Sequence, residues 1–329
     1  MILTRTPFRI SFVGGGSDIA EFYNRSMGAV LSVTVNKYMY ISSHDFFEKD
    51  KIRLKYSKTE NVSNAADIEH QIFKAVLTQK EISGIEISSN ADIPAGTGLG
   101  SSSSFTVGLL NNLYARDGKY VSKKNLAREA CDFEIDVLGQ PIGKQDQYAA
   151  AYGGLNVIEF KPHGVVVNPV HIKKEVYKRL QNNLFLYYTE KTRQSSSILK
   201  SQIKNLRNKD KYNNLKEMVG LVSEARETLH MGNLKEFGKL LHKNWKLKQR
   251  LADGISDSSI NKMYEKGLAH GASGGKLLGA GGGGFLIFYC EEENHNRFKE
   301  AMKPLVPHPF KFENEGTKVI YASDEYNQR

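Results

Sequence analysis

The stretch PAGTGLGSSSSFTVGLL, residues 94–110, constrains this chain more than any other segment. Glycines at positions 96, 98 and 100 alternate with other residues, and glycine tolerates positive φ angles and close backbone approaches. Four consecutive serines follow, and Phe105, Leu109 and Leu113 then repeat at helical spacing. The pattern predicts a tight glycine loop that leads directly into the N-terminus of a helix.

A helix N-terminus of this kind attracts anions. Its first backbone N–H groups have no partner within the helix, and the aligned peptide dipoles add roughly half a positive charge. Phosphate groups are commonly bound there, and serine hydroxyls can donate to phosphate oxygens or ligate magnesium. One serine would suffice for an ordinary cap, so four favour a phosphate-binding loop. We assign to this loop Gly96, Gly98, Leu99, Gly100, Ser101, Ser102 and Ser103.

Length and composition are those of an ordinary globular protein. The 329 residues suggest about two domains, and 40% of the residues are hydrophobic and 25% charged. The net charge of +10 permits nucleic acid, an anionic membrane or a phosphorylated small molecule as partner. Much of the excess lies in the second half, where lysines alternate with apolar residues as on a solvent-exposed helix face. Charge alone therefore does not identify the partner.

The sequence contains no pattern of a secretory or membrane-spanning segment. The N-terminal MILTRTPFRISFV is interrupted by Arg5 and Arg9, and the apolar run 285–290 is too short to cross a bilayer. Cys131 and Cys290 lack the spacing of metal ligands and are expected to be small core residues in a reducing compartment. We therefore expect a cytoplasmic protein with no membrane partner.

The order of the predicted elements indicates an α+β protein. FRISFV predicts a half-buried strand with Arg9 and Ser11 on its polar side, and Ser122 is expected to cap a helix through Leu138. A strand hairpin near residues 155–170 is followed by long amphipathic helices over about 194–251, a glycine-rich loop, a strand, a helix and closing strands. We divide the chain into domains 1–180 and 181–329.

The glycine-rich segments do not match the Walker GxxxxGK[ST] loop, the dinucleotide-binding GxGxxG or the protein-kinase motifs. GTGLGSSSS, with Pro94 ahead of it, instead resembles the second motif of the GHMP kinases, the family of galactokinase, homoserine kinase, mevalonate kinase and phosphomevalonate kinase. Pro7 and Arg9, followed by a strand and a glycine, match the family's first motif. GKLLGAGGGGFLIF closely matches the third, so all three occur in the family's order.

This resemblance implies a fold and an activity. GHMP kinases combine a ribosomal-protein-like α/β N-terminal domain with a ferredoxin-like α+β C-terminal domain, and they transfer a phosphoryl group from ATP, with Mg²⁺. Asp146, in a Gln-Asp-Gln, matches the family carboxylate at the acceptor hydroxyl, and Arg9 matches the nearby basic residue. Glu134 and Ser102 match the magnesium ligands. An unpaired carboxylate at position 134, within an apolar helix stripe, would be costly, which favours a metal ion or a salt bridge there.

Other segments bear on the acceptor. Gly16, Ser17 and Asp18 in GGGSD match the sugar-contacting loop of galactokinase, although Asp18 could instead cap the next helix. Gly281 and Gly282 belong to the third motif, which is expected to pack on the phosphate loop and touch the substrate. GGGSD, SGGKLLGAGGGGF and YYTEKTRQSS resemble the branch that phosphorylates the C1 hydroxyl of D-glycero-α-D-manno-heptose 7-phosphate on the route to GDP-heptose. A substrate phosphate needs cationic partners, and the candidates are Lys191, Arg193 and Lys276.

Three alternatives remain open on sequence grounds. Another sugar-1-kinase of the family, such as an L-fucokinase, would share every motif. A sensor that binds ATP and sugar without catalysis would be favoured by loss of the catalytic carboxylate, but Asp146 is present. A nucleic-acid-binding protein would leave Asp146, Glu134 and the serines without a role. We therefore expect ATP and a sugar phosphate as partners, no nucleic acid, and keep a homodimer as a possible assembly.

Overall fold

The computed structural model describes residues 1–191 and 195–323, and within these ranges the chain forms two sheets surrounded by helices. The strands, in chain order, are β1 (Ile2–Val13), β2 (Gly28–Asp45), β3 (Ile52–Lys55), β4 (Thr59–Val62), β5 (Ile85–Ala91), β6 (Leu155–Lys161), β7 (Gly164–Pro169), β8 (Leu184–Tyr188), β9 (Ala272–Leu277), β10 (Phe285–Cys290), β11 (Phe312–Glu313) and β12 (Lys318–Ala322). Strands β8, β10 and β9 form the smaller, antiparallel sheet, and the others form the larger sheet.

The helices flank both sheets. In the described part of the chain they are α1 (Ala20–Tyr23), α2 (Gln71–Gln79), α3 (Ser101–Arg116), α4 (Lys123–Cys131), α5 (Gln145–Tyr152), α6 (Lys174–Asn182), α7 (Ser195–Asn205), α8 (Lys209–Met231), α9 (Leu234–Gln249), α10 (Ser258–Ala269) and α11 (His295–Met302). A π-helical turn, Asp132–Val137, continues α4. Within the described residues, the helices are all too short or too polar to span a bilayer.

The long strand β2 organises the larger sheet because it changes partners along its length. Its first half pairs with β6 and its second half with β5, while β1 runs antiparallel along its other edge. The alternation predicted for β1 is confirmed. Phe8, Ile10 and Phe12 lie in the core, and Arg9 and Ser11 line a cavity on the opposite side.

The end of the chain returns to the larger sheet. β12 pairs with β1, and β11 pairs with β2. The predicted division at residue 181 assigns both strands to the second domain, and they pair with strands of the first. The pairing has a physical reason, since without β12 one edge of β1 would expose unpaired backbone groups.

The two sheets share one hydrophobic core. Phe12 of β1 packs edge-on against Phe237 of α9, with ring centroids 5.2 Å apart, and Phe237 contacts Tyr289 of β10 at 6.4 Å. Helix α9 therefore connects the two sheets through buried aromatic rings. The packing of Phe237 is continuous from one sheet to the other, so it holds the two sheets together.

Several local predictions are confirmed. Helix α3 begins at Ser101, directly after the glycine loop. The Ser122 hydroxyl accepts a hydrogen bond from the Asn125 N–H and caps α4, and the hairpin of β6 and β7 is present. At these positions the neighbouring residue types were sufficient to predict the local structure.

The two glycine-rich loops meet backbone to backbone, as expected for the third motif. Gly98 has φ +86°, and a Cβ atom added there would lie 2.6 Å from the Leu278 carbonyl oxygen. A Cβ on Gly279, with φ +72°, would lie 2.6 Å from the Gly98 Cα. Side chains at these two positions would force the loops apart.

We predict that Gly98→Ala lowers the free energy of unfolding by about 1–3 kcal/mol, because alanine meets both an unfavourable φ and a backbone oxygen. Gly220→Ala is the matched control, since a Cβ there meets no atom within 4 Å. In the interior of α8 it should instead stabilise the protein by about 0.5–1 kcal/mol. Urea denaturation measures both values, and a G98A protein as stable as the wild type would contradict the contact between the loops.

Candidate active site

A cavity of about 250 Å³ lies where the larger sheet faces the third-motif loop. Its lining comes from the polar side of β1 and the turn after it, the loop before α3 and the first turn of α3, the π-helical turn, the segment before α5 and the first turn of α5, helices α7 and α9, and the glycine-rich loop between β9 and β10. These segments include the three motifs singled out in the sequence. The fold therefore brings together residues that are more than 250 positions apart, such as Arg9 and Gly279.

The start of α3 presents free amides to this cavity. Gly100 precedes the helix with φ +79°, and no side chain caps it. The helix's hydrogen bonding starts with the Ser104 N–H, which donates to the Gly100 carbonyl oxygen at 3.0 Å. The N–H groups of Ser101, Ser102 and Ser103 therefore precede the first helical hydrogen bond. Backbone donors and the helix dipole together favour an anion here.

The structure places most of the predicted phosphate loop at the cavity. Its lining residues include Gly96, Gly98, Gly100, Ser101, Ser102 and Ser103. Leu99 differs, because its side chain is buried in the core and its carbonyl accepts a hydrogen bond from the Arg9 backbone N–H. Leu99 therefore anchors the loop and does not line the cavity.

The four consecutive serines at the start of α3 contact different parts of the protein. The Ser102 hydroxyl donates to Glu134 at 2.9 Å, and the Ser104 hydroxyl donates to the Pro7 carbonyl at 2.9 Å. Ser104 thus ties α3 to β1, while Ser101 to Ser103 line the cavity. Neighbouring serines face different partners because successive helix positions are rotated by about 100°.

Arg9 and Asp146 form a two-point ion pair at the edge of the cavity. The Arg9 Nε and Nη2 atoms each donate to one carboxylate oxygen at 2.7 Å, and Nη1 donates to the Gly98 carbonyl at 2.6 Å. Arg9 is buried, whereas the Asp146 side chain is 22% exposed. The carboxylate is held in one orientation and remains accessible from the cavity. It can accept a hydrogen bond or a proton from a bound hydroxyl.

Glu134 lies in the π-helical turn and is only 1% exposed. One of its oxygens accepts from Ser102, and the other accepts from the Gln147 side-chain amide at 2.7 Å. Burial raises the pKa of Glu134. The hydrogen bonds from Ser103, Ser102 and Gln147 lower it, but by less than burial raises it. A carboxylate beside a hydroxyl fits the oxygen ligands of Mg²⁺, which commonly takes one or two carboxylates and completes its shell with phosphates and water.

Asp18 also belongs to the cavity. Its carboxylate accepts from the Gly16 N–H at 3.0 Å and from the Gln145 N–H at 3.1 Å. Helix α1 follows Ile19 without a side-chain cap, so the alternative role of Asp18 as a helix cap does not hold. Burial, followed by the charge of Asp146, raises the pKa of Asp18. A sugar hydroxyl could donate to its carboxylate.

The structure does not bring every predicted sugar residue to the cavity. Gly16 and Gly281 line it. Gly282 turns away, with its N–H donating to the Ile255 carbonyl. The Ser17 hydroxyl is buried and donates to the Gly14 and Ala29 carbonyls. Ser17 therefore holds the turn together, because its hydroxyl is occupied by the backbone.

The candidates for the substrate phosphate are likewise placed elsewhere. Lys191 forms an ion pair with Asp257 outside the cavity. Lys276 is fully buried, is not among the cavity-lining residues, and donates through Nζ to the Ser11 carbonyl at 2.8 Å. Burial and the charge of Lys248 lower the pKa of Lys276 strongly. Arg193 lies outside the described residues.

Lys248 is a cavity residue that the sequence analysis did not single out. It lies in the last turn of α9, is 6% exposed and donates through Nζ to the Gly279 carbonyl. The alternation of lysines and apolar residues in the second half of the sequence predicts that these lysines are solvent-exposed, and Lys248 is an exception. Position 248 lies on the same face of α9 as the buried Leu241 and Trp245. This helical spacing is the sequence feature that could have predicted the burial of Lys248.

Comparisons with known proteins agree with this geometry. The model of the GHMP kinases N terminal domain matches residues 69–154, and that of the GHMP kinases C terminal domain matches 221–305. D-glycero-alpha-D-manno-heptose 7-phosphate kinase of Campylobacter jejuni is 28% identical over 96% of this chain and 98% of its own length. L-fucokinase/L-fucose-1-P guanylyltransferase of Bacteroides fragilis is 28% identical over 69% of this chain and 24% of its own length.

A solved structure supports the same fold. The D-glycero-D-manno-heptose 1-phosphate kinase from Bacteroides thetaiotaomicron superposes with a TM-score of 0.80 at 23% identity, covering 98% of this chain and all of the other. The chain belongs to the GHMP kinase family. Within that family it is an ATP-dependent sugar kinase.

We predict that Glu134→Gln raises the melting temperature of the unliganded protein. Burial raises the pKa of Glu134, so the folded state disfavours the ionised form and the charge destabilises the fold above the ordinary pKa of 4.5. That penalty is lost below about pH 4.5, where the folded and unfolded forms both carry the proton, and the gain in E134Q should vanish there. Scanning calorimetry from pH 4 to pH 8 measures this.

The control for this prediction is Glu224→Gln, which removes an exposed carboxylate on α8 and should leave the melting temperature nearly unchanged at every pH. An E134Q protein that melts below the wild type at pH 8 would show that the Glu134 charge is stabilised within the fold. The position would then act as a structural hydrogen-bonding site and not as a cation ligand.

Proposed function

We propose that the protein transfers the γ-phosphoryl group of ATP to the C1 hydroxyl of D-glycero-α-D-manno-heptose 7-phosphate, giving the 1,7-bisphosphate. The observation that carries this proposal is the position of Asp146. Its oriented, partly exposed carboxylate opens into the same cavity as the free amides at the start of α3. A phosphoryl donor and a hydroxyl acceptor can therefore meet in one place.

The phosphate side is supported by the loop geometry. The amides of Ser101 to Ser103 supply fixed donors for the ATP phosphates, and the contact between the glycine loops keeps the backbone close. Ser102 and Glu134 would hold Mg²⁺. When bound, the ion neutralises negative charge on the phosphate oxygens. The side chains of this region orient the donor and exchange no proton with it.

On the acceptor side, Asp146 would accept a hydrogen bond from the C1 hydroxyl and take its proton as the new P–O bond forms. The leaving ADP oxygen retains the electron pair of the bond that breaks. Arg9 holds the carboxylate in one orientation through two hydrogen bonds. Phosphoryl transfer depends mostly on positioning and charge neutralisation, so proton removal supplies only part of the acceleration.

The choice of acceptor is supported by resemblance over the whole chain. The heptose 7-phosphate kinase of Campylobacter jejuni aligns over nearly the full length of both chains. Gly16 and Asp18, which we propose as sugar contacts, lie at the cavity next to Gln145. The similarity to the fucokinase of Bacteroides fragilis favours L-fucose as the second candidate acceptor.

The test is a panel of acceptors incubated with Mg-ATP while ADP is measured. We expect the fastest release with D-glycero-α-D-manno-heptose 7-phosphate and far slower release with L-fucose, D-galactose, D-mannose and unphosphorylated heptose. ³¹P NMR of the product should show a new phosphate on the anomeric carbon. Faster transfer to L-fucose than to the heptose phosphate would replace the proposed substrate with the second candidate.

Within the same assay, Asp146→Asn should lower kcat by about 10²–10⁴-fold, the usual contribution of a general base. The dissociation constant of ATP, measured by calorimetry, should change by less than about twofold, because Asp146 contacts the acceptor and not the nucleotide. Asp136→Asn, which alters an exposed carboxylate nearby, is the control. Undiminished turnover in D146N would remove Asp146 from the mechanism.

A further inference from the structure

Lys248 is a buried lysine whose side chain makes a single hydrogen bond within the part of the chain that the structure describes. Its ammonium group lies at the cavity, with the Gly279 carbonyl as its hydrogen-bond acceptor. Among the described residues, no carboxylate forms a salt bridge with it. An ammonium group carries three donors, and removing it from water without a matching anion is costly. Two of its donors remain available to a molecule in the cavity.

The charges around Lys248 place it near the reacting groups. Four charged side chains face it from separate elements: Arg9 of β1, Asp18 of the turn before α1, Asp146 of α5 and Lys276 of β9. Both carboxylates attract it, and both are positions proposed to contact the acceptor. Lys248 thus approaches the acceptor region from the C-terminal half of the chain, opposite the residues supplied by the N-terminal half.

Comparison with Lys276 separates a structural lysine from a cavity lysine. Both are buried, and both have a backbone carbonyl as acceptor. Lys276 does not line the cavity and joins β9 to β1 through Ser11, which is a sufficient role for it. Lys248 lines the cavity, so part of its polar group remains open to a ligand.

This inference rests on the proposed sugar kinase reaction. We propose that Lys248 is a substrate-contacting residue that donates hydrogen bonds to oxygens of the acceptor sugar next to the hydroxyl that is phosphorylated. It fixes the acceptor against Asp146 and Asp18, and the Gly279 carbonyl sets the direction of its ammonium group. The glycines of the third-motif loop have no side chain that could contact the acceptor. The loop therefore acts on the acceptor through Lys248, which its Gly279 carbonyl positions.

The charge state of Lys248 provides an independent readout. Burial and the charge of Arg9 lower its pKa to about 8. A group with a lowered basic pKa loses its proton as the pH rises through that value, so Lys248 in the free enzyme should lose its positive charge and one of its three N–H donors above about pH 8. The kcat/KM for the acceptor should therefore decline on the alkaline side, because kcat/KM reports ionisations of the free enzyme.

The experiment compares Lys248→Met and Lys248→Arg with Lys246→Met, an exposed lysine on the same helix. For K248M we expect kcat/KM for the acceptor to fall about 10–100-fold, mostly through a higher KM, as for the loss of hydrogen bonds from a charged group. The dissociation constant of ATP should change by less than about twofold. The alkaline decline should be absent in K248M and present in K246M.

K248R should recover part of the acceptor affinity and keep kcat/KM level up to about pH 10, because arginine stays charged. Calorimetric melting of each variant identifies losses caused by misfolding. An unchanged acceptor KM in folded K248M, a loss confined to ATP binding, or an alkaline decline that persists in K248M would each overturn the inference. The wild-type panel decides the proposed substrate first, and the variants are then compared with the sugar that the wild type phosphorylates most rapidly.

Discussion

The Arg9 guanidinium group makes the contacts on which the rest of the site depends. It binds both oxygens of Asp146 and the Gly98 carbonyl, while its own backbone N–H donates to the Leu99 carbonyl. A buried arginine is stable only when its charge is paired and its donors are used. Because Asp146 and the pair Gly98 and Leu99 belong to two different segments, Arg9 fixes the start of α5 and the phosphate loop relative to strand β1.

Backbone packing provides the second constraint. The two glycine loops touch without side chains between them, and Phe237 links the sheets through rings on both sides. The cavity therefore has walls from both halves of the chain and little freedom to widen. The start of α3, proposed for the donor, and Asp18, proposed for the acceptor, line the same cavity, and close positioning of the two reactants is the main requirement for phosphoryl transfer.

The site contains charges that the fold itself does not fully compensate. Burial raises the pKa values of Glu134 and Asp18 and lowers that of Lys248 to about 8. Each shift means that the surrounding protein disfavours the charged form. Ligands that supply the missing partners should therefore stabilise the folded protein, since binding to the native state alone adds to its stability.

Local patterns in the sequence determined the phosphate loop, the start of α3, the polar side of β1 and the pairing of motifs that identifies the family. These features depend on glycine conformations, helix capping and strand alternation, which act between near neighbours. Only the tertiary structure decided that β12 returns to β1, that Ser17 and Lys276 bind backbone oxygens, and that Lys248 reaches the cavity. Periodicity shows which face of an element is buried, but the partner on that face comes from a distant segment, and no local spacing encodes it.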